Sequence, residues 1–381
     1  TSNKMDKVPV VCDYGSGFSK VGFSGNEGPL AVFPTILGKL RHDTLLVGME
    51  EKDWFLGNDA QKKRERLILQ YPISRGDVTS WDNLEKIWHH SFYQVLNIPP
   101  EEYPLMMTEP PLNSTSTRER VCQILFETFG VPALSLVNQG VLSLYASGLT
   151  DGELSQHLGT TQRIPVFFAI IANVCMLNQD TAASSMWHLL SQQTTNAPHF
   201  HAFFLLCPVA DREYIRDVKE RCCYVTLDFD KQKVQANDPP SCPKELQLPD
   251  GQKISLGEGA FTCPEALFQT NLIGRSTLGI HMMAMQCITS CNPALWKMLF
   301  GHIILSGGTG SFSGLRLRLQ RELIGLVSPT IEVKVATSPY AKYGAWVGGS
   351  ILSSLSTFKD MWVTSSEYKD VGCSIISRRS F

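Results

Sequence analysis

The sequence predicts an α/β fold built on a sheet of mixed strand order, and three observations carry that prediction. The apolar run Val8 to Cys12 meets the turn Asp13-Tyr14-Gly15-Ser16-Gly17 and then the alternating segment Phe18 to Phe23, which is a strand, turn, strand pattern. Between Ser80 and Gly148, helical and strand periodicities alternate. The 381 residues, 43% apolar and 18% charged, suffice for roughly two to three domains with ample core.

Val10 and Val11 favour extended backbone, and Gly15 and Gly17 permit positive φ, so the first turn is expected to be tight. Such a turn aligns backbone N–H groups into a nest that suits a phosphate. Asp13 is placed to reach a magnesium ion through water, and Lys20 to neutralise phosphate charge. The same residues also suit an ordinary hairpin with a surface aspartate, and only distant partners distinguish the two. Leu30 to Phe33 continues the strands. Leu40 to Arg66 mixes charge with short apolar pieces, which predicts a small exposed lobe with a mobile loop near Asp43 to Lys52. Leu84, Ile87, Trp88, Ser91, Phe92 and Val95 share one helical face, with Ser80 to cap the start and Pro99-Pro100 to end it. Leu105 to Thr108 predicts a short buried strand. A helix over Thr117 to Phe129 closes on Gly130, a strand follows at Ala133 to Val137, and a helix over Asn138 to Ser147 stops at Gly148.

Composition narrows the function classes. A net charge of −2 with no long basic run argues against nucleic acid as a partner, and no apolar stretch has membrane length. The 11 cysteines show no CxxC pair or zinc-type spacing, as expected of reduced core thiols in a cytosolic protein. The start at Thr1 fits a processed product or the end of something longer.

Asp13-Tyr-Gly-Ser-Gly-Phe-Ser-Lys-Val-Gly, Trp88-His89-His90, Thr108-Glu109-Pro-Pro-Leu-Asn and Gln139-Gly-Val-Leu-Ser-Leu-Tyr-Ala-Ser-Gly resemble actin, in actin's order and at near-actin spacing. The resemblance continues through Pro249-Asp250-Gly251, Cys263 to Gln269, Leu305 to Thr309 and Trp346 to Leu352. Differences throughout make the chain similar to divergent, often testis-type, actin-like proteins rather than to a conventional actin. The resemblance implies an actin-like ATPase-domain fold of two RNase H-like halves, each with a smaller outer lobe, and ATP or ADP with magnesium in the cleft. On that basis 1–34, 72–147 and 343–381 form the first core lobe and 35–71 its outer lobe. The second core lobe takes 148–187 and 276–342, and the second outer lobe 188–275.

That design needs a second phosphate turn, which the family places just after Gly148 as Asp-Ser-Gly-Asp-Gly, with a histidine on the next strand. Here the stretch Glu153 to Pro165 is one residue shorter by alignment to Pro165. Ser155 and Leu158 stand where the two acids belong, His157 replaces a glycine, and Gln162 replaces the histidine. A neutral serine does not offset magnesium charge, so nucleotide clamping from this side is expected to be weak. Asp151 or Glu153 could substitute only by a register shift that moves every neighbour to the wrong face. Gln139 matches the residue that in actins orients the attacking water. Without its partner acid and histidine it is expected to be vestigial, because phosphoryl transfer depends on positioning and charge together.

Further along, Val166 to Ala172 predicts a buried strand, and Ala169-Ile170 and Ala182 to Ser185 replace glycine-containing family motifs. His188, His199 and His201 lack an acid or thiol at ligand spacing. The helix Ala210 to Cys222 matches the segment that lines adenine and ribose, which makes Lys219 and Glu220 candidate nucleoside contacts. Lys231 to Glu245, rich in proline, predicts a mobile loop, and Leu248 to Leu256 a hairpin turning at Asp250-Gly251. The Gly-rich loop Ser306 to Phe312 lies between a strand (His302 to Leu305) and a helix (Leu315 to Leu323), which suits Gly307, Gly308 and Thr309 to phosphate. Phe312 stands where the family has a tyrosine, and Lys342 and Tyr343 match adenine-side residues. Among assembly surfaces, the loop Arg41 to Asp53, with Leu46 and Met49, and the tip Leu272-Ile273 resemble filament contacts. Tyr145, Leu352, Leu355, Thr357 and Met361 resemble the groove that receives partner segments.

The function these features imply is a non-enzymatic, cytoplasmic cytoskeletal subunit. It would bind ATP or ADP weakly and assemble with actin, other actin-like subunits or actin-binding-type proteins. The alternative is a polymerising ATPase with the conventional nucleotide cycle. A sugar kinase or chaperone shares the general fold but not the actin-specific blocks.

Overall fold

The valine-rich run after Pro9 becomes the middle of a sheet. Strands β1 (Val10–Tyr14), β2 (Phe18–Phe23), β3 (Ala31–Pro34), β4 (Leu105–Glu109), β5 (Ala133–Asn138) and β6 (Val363–Thr364) pair in the order β6-β5-β4-β1-β2-β3. The β1–β2 hairpin is antiparallel, with Tyr14 opposite Ser19, while β4 runs parallel to both β1 and β5. β1, β4 and β5 are buried along their whole length, as parallel strands covered on both faces must be. Their register brings the C-terminal ends of β1, β4 and β5 level, with Cys12 opposite Met107 and Val137 opposite Thr108.

This computed structural model describes residues 7–40, 54–74, 76–111, 113–148, 211–236, 245–247, 253–255, 258–338 and 340–379. The expected loop Arg41 to Asp53, the second phosphate turn with Ser155, His157, Leu158 and Gln162, the strand Val166 to Ala172 and the three histidines after it lie outside the described residues. The chain divides into two units, Thr1–Asn173 with Ser338–Phe381, and Val174–Thr337.

In the first unit the helix signals take effect where the capping chemistry puts them. Ser80 accepts from the Asn83 N–H at the start of Trp81–His89, and the same helical face continues through the π-helical turn His90–Val95, which buries Phe92. Ser114 caps Thr115–Glu127, two residues ahead of the expected start, and Gly130 takes a φ of 64°. Asn138 caps Gln139–Ser147 by accepting from the Gly140 N–H at 2.8 Å, and Gly148 closes it at a φ of 74°. One face of the sheet packs on Trp88, Phe92 and Leu125, and the other on Leu142 and Trp346. Trp346 comes from the helix Gly344–Ser354 and donates its indole N–H to the Val11 carbonyl at 2.9 Å. A smaller three-stranded sheet, in the order Phe55–Leu56, Leu37–Leu40, Leu67–Gln70, forms apart from the main one.

In the second unit the strand Ile303–Leu305 pairs in parallel with Val335–Thr337. Two expectations need correction there. Residues from Phe229 to Ala236 form a helix, not the start of a mobile loop. Asp228 supplies the reason, since its side chain accepts from the Lys231 N–H at 3.2 Å and its carbonyl from the Gln232 N–H at 3.1 Å. The hairpin begins earlier than Leu248: Glu245–Gln247 pairs with Lys253–Ser255, with Leu246 opposite Ile254. Every described cysteine is free, and no group of three metal-ligating side chains occurs among the described residues. No helix among them is long and apolar enough to cross a membrane.

Candidate nucleotide-binding site

The turn after β1 is closed by its own backbone. The Gly15 N–H donates to the Phe18 carbonyl at 3.1 Å, and the Gly17 carbonyl accepts from Thr35 at 3.1 Å. Neither Gly15 nor Gly17 adopts positive φ, contrary to the expectation from two closely spaced glycines. At Gly15 a Cβ would sit 3.3 Å from the Phe18 carbonyl oxygen, a tight contact that a small shift of the turn would relieve. Ser16 is buried and its hydroxyl accepts from the Gly76 N–H at 3.3 Å. The Ser16 and Gly17 N–H groups take no hydrogen bond among the described residues, which leaves two adjacent donors for an anion.

Asp13 lies at the head of this turn, 3% exposed, with both oxygens engaged. Oδ2 pairs with Lys20 Nζ at 2.7 Å. Oδ1 accepts from Thr108 Oγ1 at 2.6 Å and from Gln139 Nε2 at 3.0 Å. The structure thus brings Asp13, Lys20 and Gln139 together, and it matches the Lys20 charge to Asp13 first. Thr108 completes the cluster, a residue that the motifs alone do not single out. Its signal is a single hydroxyl that follows the apolar run Leu105-Met106-Met107. Behind it, buried Glu109 accepts from Arg118 Nε at 2.8 Å and Asn113 Nδ2 at 3.0 Å, both on the same oxygen.

The remaining first-unit candidates are more open. Lys342 and Tyr343 are exposed, in the turn Ala341–Tyr343 that leads into Gly344–Ser354. Tyr145 and Met361 pack against the core on the Leu142 and Trp346 face of the sheet, Leu352 is buried within that core, and Leu355 and Thr357 are exposed. In the second unit, Lys219 is half-buried on the helix Asp211–Cys222 and Glu220 is exposed. Burial holds the Lys219 ammonium below the ordinary lysine range, against the upward pull of Glu220. The Gly-rich segment is a short helical turn, Gly307–Gly310, with Gly307 at a φ of 83°. Thr309 accepts through its carbonyl from the Phe312 N–H at 3.0 Å. The chain leaving the Lys219 helix runs against the end of this segment, where the Val225 N–H donates to Ser313 at 2.9 Å. A Cβ on Gly314 would lie 2.0 Å from the Val225 oxygen, so only glycine fits there. Leu272 and Ile273 are half-buried in the turn Thr270–Ile273.

Compared with known protein families, residues 5–154 and 206–381 match the family model described as Actin. The chain belongs to the actin family. The mixed α/β content and the central mixed sheet are those of the actin-like ATPase fold. Actin-family members typically bind ATP or ADP with magnesium, and the donor set here fits that group. Lys20 with the Ser16 and Gly17 N–H groups suits phosphate, and Asp13 suits a magnesium ion held through water. The matched stretches leave out 155–205, the interval that holds Ser155, His157, Leu158 and Gln162.

Proposed function

We propose that this actin-family chain is a structural cytoskeletal subunit of the cytoplasm that holds ATP or ADP with magnesium weakly and hydrolyses it little or not at all. The observation that carries the proposal is the uneven state of the phosphate-binding parts. Asp13, Lys20 and Gln139 form one packed cluster, while Ser155 and Leu158 stand where a second turn needs its acids. A carboxylate on one side only leaves much of the charge of a magnesium–phosphate complex uncompensated. Gln139 alone then has too little help to drive turnover. As a subunit the chain would assemble with actin, related actin-like chains or actin-binding-type proteins, in line with its family.

The test is to release and quantify nucleotide from freshly purified protein, then to follow phosphate release from added ATP. Sub-stoichiometric nucleotide that dialyses away, and turnover at buffer background in both wild type and Gln139→Ala, are expected. Near-stoichiometric nucleotide that survives extensive dialysis would sink the weak-binding part. A second reading, a polymerising ATPase, draws on the intact contact between Gln139 and Asp13. Steady phosphate release that disappears in Gln139→Ala would establish it.

A further inference from the structure

The cluster around Asp13 has a defined proton arrangement. Asp13 is ion-paired with Lys20, so its carboxylate only accepts, and the part of Gln139 that faces it at 3.0 Å has to be the amide NH2. Thr108 has one hydroxyl proton, and at 2.6 Å it goes to Asp13. The Thr108 oxygen is then left to accept, and it does so from the same Gln139 Nε2 at 3.2 Å. Gln139 therefore gives its nitrogen to two partners on the protein side. Its Oε1, at the opposite end of the amide, takes no hydrogen bond among the described residues although Gln139 is 5% exposed. Oε1 is not among the fully buried unpartnered atoms, so it is open to a small O–H donor such as a water molecule.

We infer that Thr108 is a positioning residue: its hydroxyl fixes the Gln139 amide with nitrogen on Asp13 and oxygen turned to the ligand side, as the acceptor for a water that accompanies bound nucleotide. The part concerning nucleotide rests on the function proposed above, and the part concerning the amide does not. Thr108→Val keeps the shape of the side chain and removes both the donor to Asp13 and the acceptor for Gln139. Thr108→Ser keeps both.

The experiment uses the full chain with 15N-labelled glutamine side chains, the Gln139 signal being assigned by its absence in Gln139→Ala. Hydrogen exchange of that amide is measured alongside calorimetric titration with magnesium–ATP. Wild type and Thr108→Ser should show a protected Gln139 amide, and Thr108→Val should lose about tenfold in protection and up to about tenfold in ATP affinity, the scale of one hydrogen bond. Protection unchanged in Thr108→Val, in protein whose thermal transition shows it folded, would overturn the positioning role. Lost protection with unchanged ATP affinity would overturn the link to nucleotide. If wild type binds no ATP, the nucleotide reading fails by itself, and the exchange measurement still decides the role of Thr108.

Discussion

Asp13 and Lys219 show two treatments of a charge removed from water. Asp13 is matched by Lys20, Thr108 and Gln139, so its burial is compensated within the cluster. For Lys219 burial dominates and lowers its pKa from the ordinary 10.5, with Glu220 opposing the shift and Arg216 adding to it. A lysine depressed in the folded state binds fewer protons there than in the unfolded chain, so stability rises with pH from its folded value up to 10.5. The prediction is that nucleotide-free Lys219→Met is more stable than wild type at neutral pH. That advantage should shrink as pH approaches 10.5. Thermal unfolding of both proteins across that range checks it, and an advantage that grows with pH would reverse the argument. At residue scale the sequence made Asp13, Lys20 and Gln139 legible through their motifs. Thr108 was not legible, because its role exists only once β1, β4 and β5 lie in register.

Between elements, a close backbone approach lies where Gly344–Ser354 crosses Gln139–Ser147. A Cβ at Gly348 would sit 1.7 Å from the Leu142 carbonyl oxygen, which is backbone and has no rotamer to escape into. Gly348→Ala should cost at least about 1–3 kcal/mol as the helices are forced apart. Gly325→Ala, on the helix Leu315–Leu326 with open space around it and no positive φ, should be neutral or gain up to about 1 kcal/mol. Urea unfolding of the two variants side by side separates steric cost from loss of a glycine. In the second unit, Arg318 grips fully buried Glu265 with two hydrogen bonds of 2.8 Å, while its Nε donates to Glu322 at 2.6 Å. Its guanidinium also lies 4.7 Å over the Phe268 ring. Arg318→Met strands a buried carboxylate and should cost about 3–5 kcal/mol, with Arg318→Lys a poor rescue because an ammonium cannot make the fork. The same unfolding assay checks this, and a loss under about 1 kcal/mol would mean that Glu265 finds another partner.

At the scale of the whole molecule, assembly is the property to test. Leu355 and Thr357 are exposed, and Tyr145 and Met361 are partly buried against the core around Leu142 and Trp346; the proposed subunit role would use these residues to receive a partner segment. The expected behaviour is co-assembly with actin or an actin-like subunit, or capping of its filaments, in preference to long filaments of the pure chain. Sedimentation and negative-stain imaging with and without actin check it, and robust ATP-accelerated filaments of the pure protein would refute it. The sequence by itself determined the family, the helices capped by Ser80 and Asn138, the strands Val10–Tyr14, Phe18–Phe23, Leu105–Glu109 and Ala133–Asn138, and the position of the Asp13 turn. Those features rest on neighbours within a few residues or on motifs in a set order. Tertiary structure alone decided that Gly15 lies close to the Phe18 carbonyl and does not use positive φ, that Leu352 is core, and that Thr108 joins Asp13 and Gln139. The physical reason is distance along the chain: Thr108 is 95 residues from Asp13, and Gln139 is 126. Contacts of that range are set by strand register and packing, which no local pattern encodes.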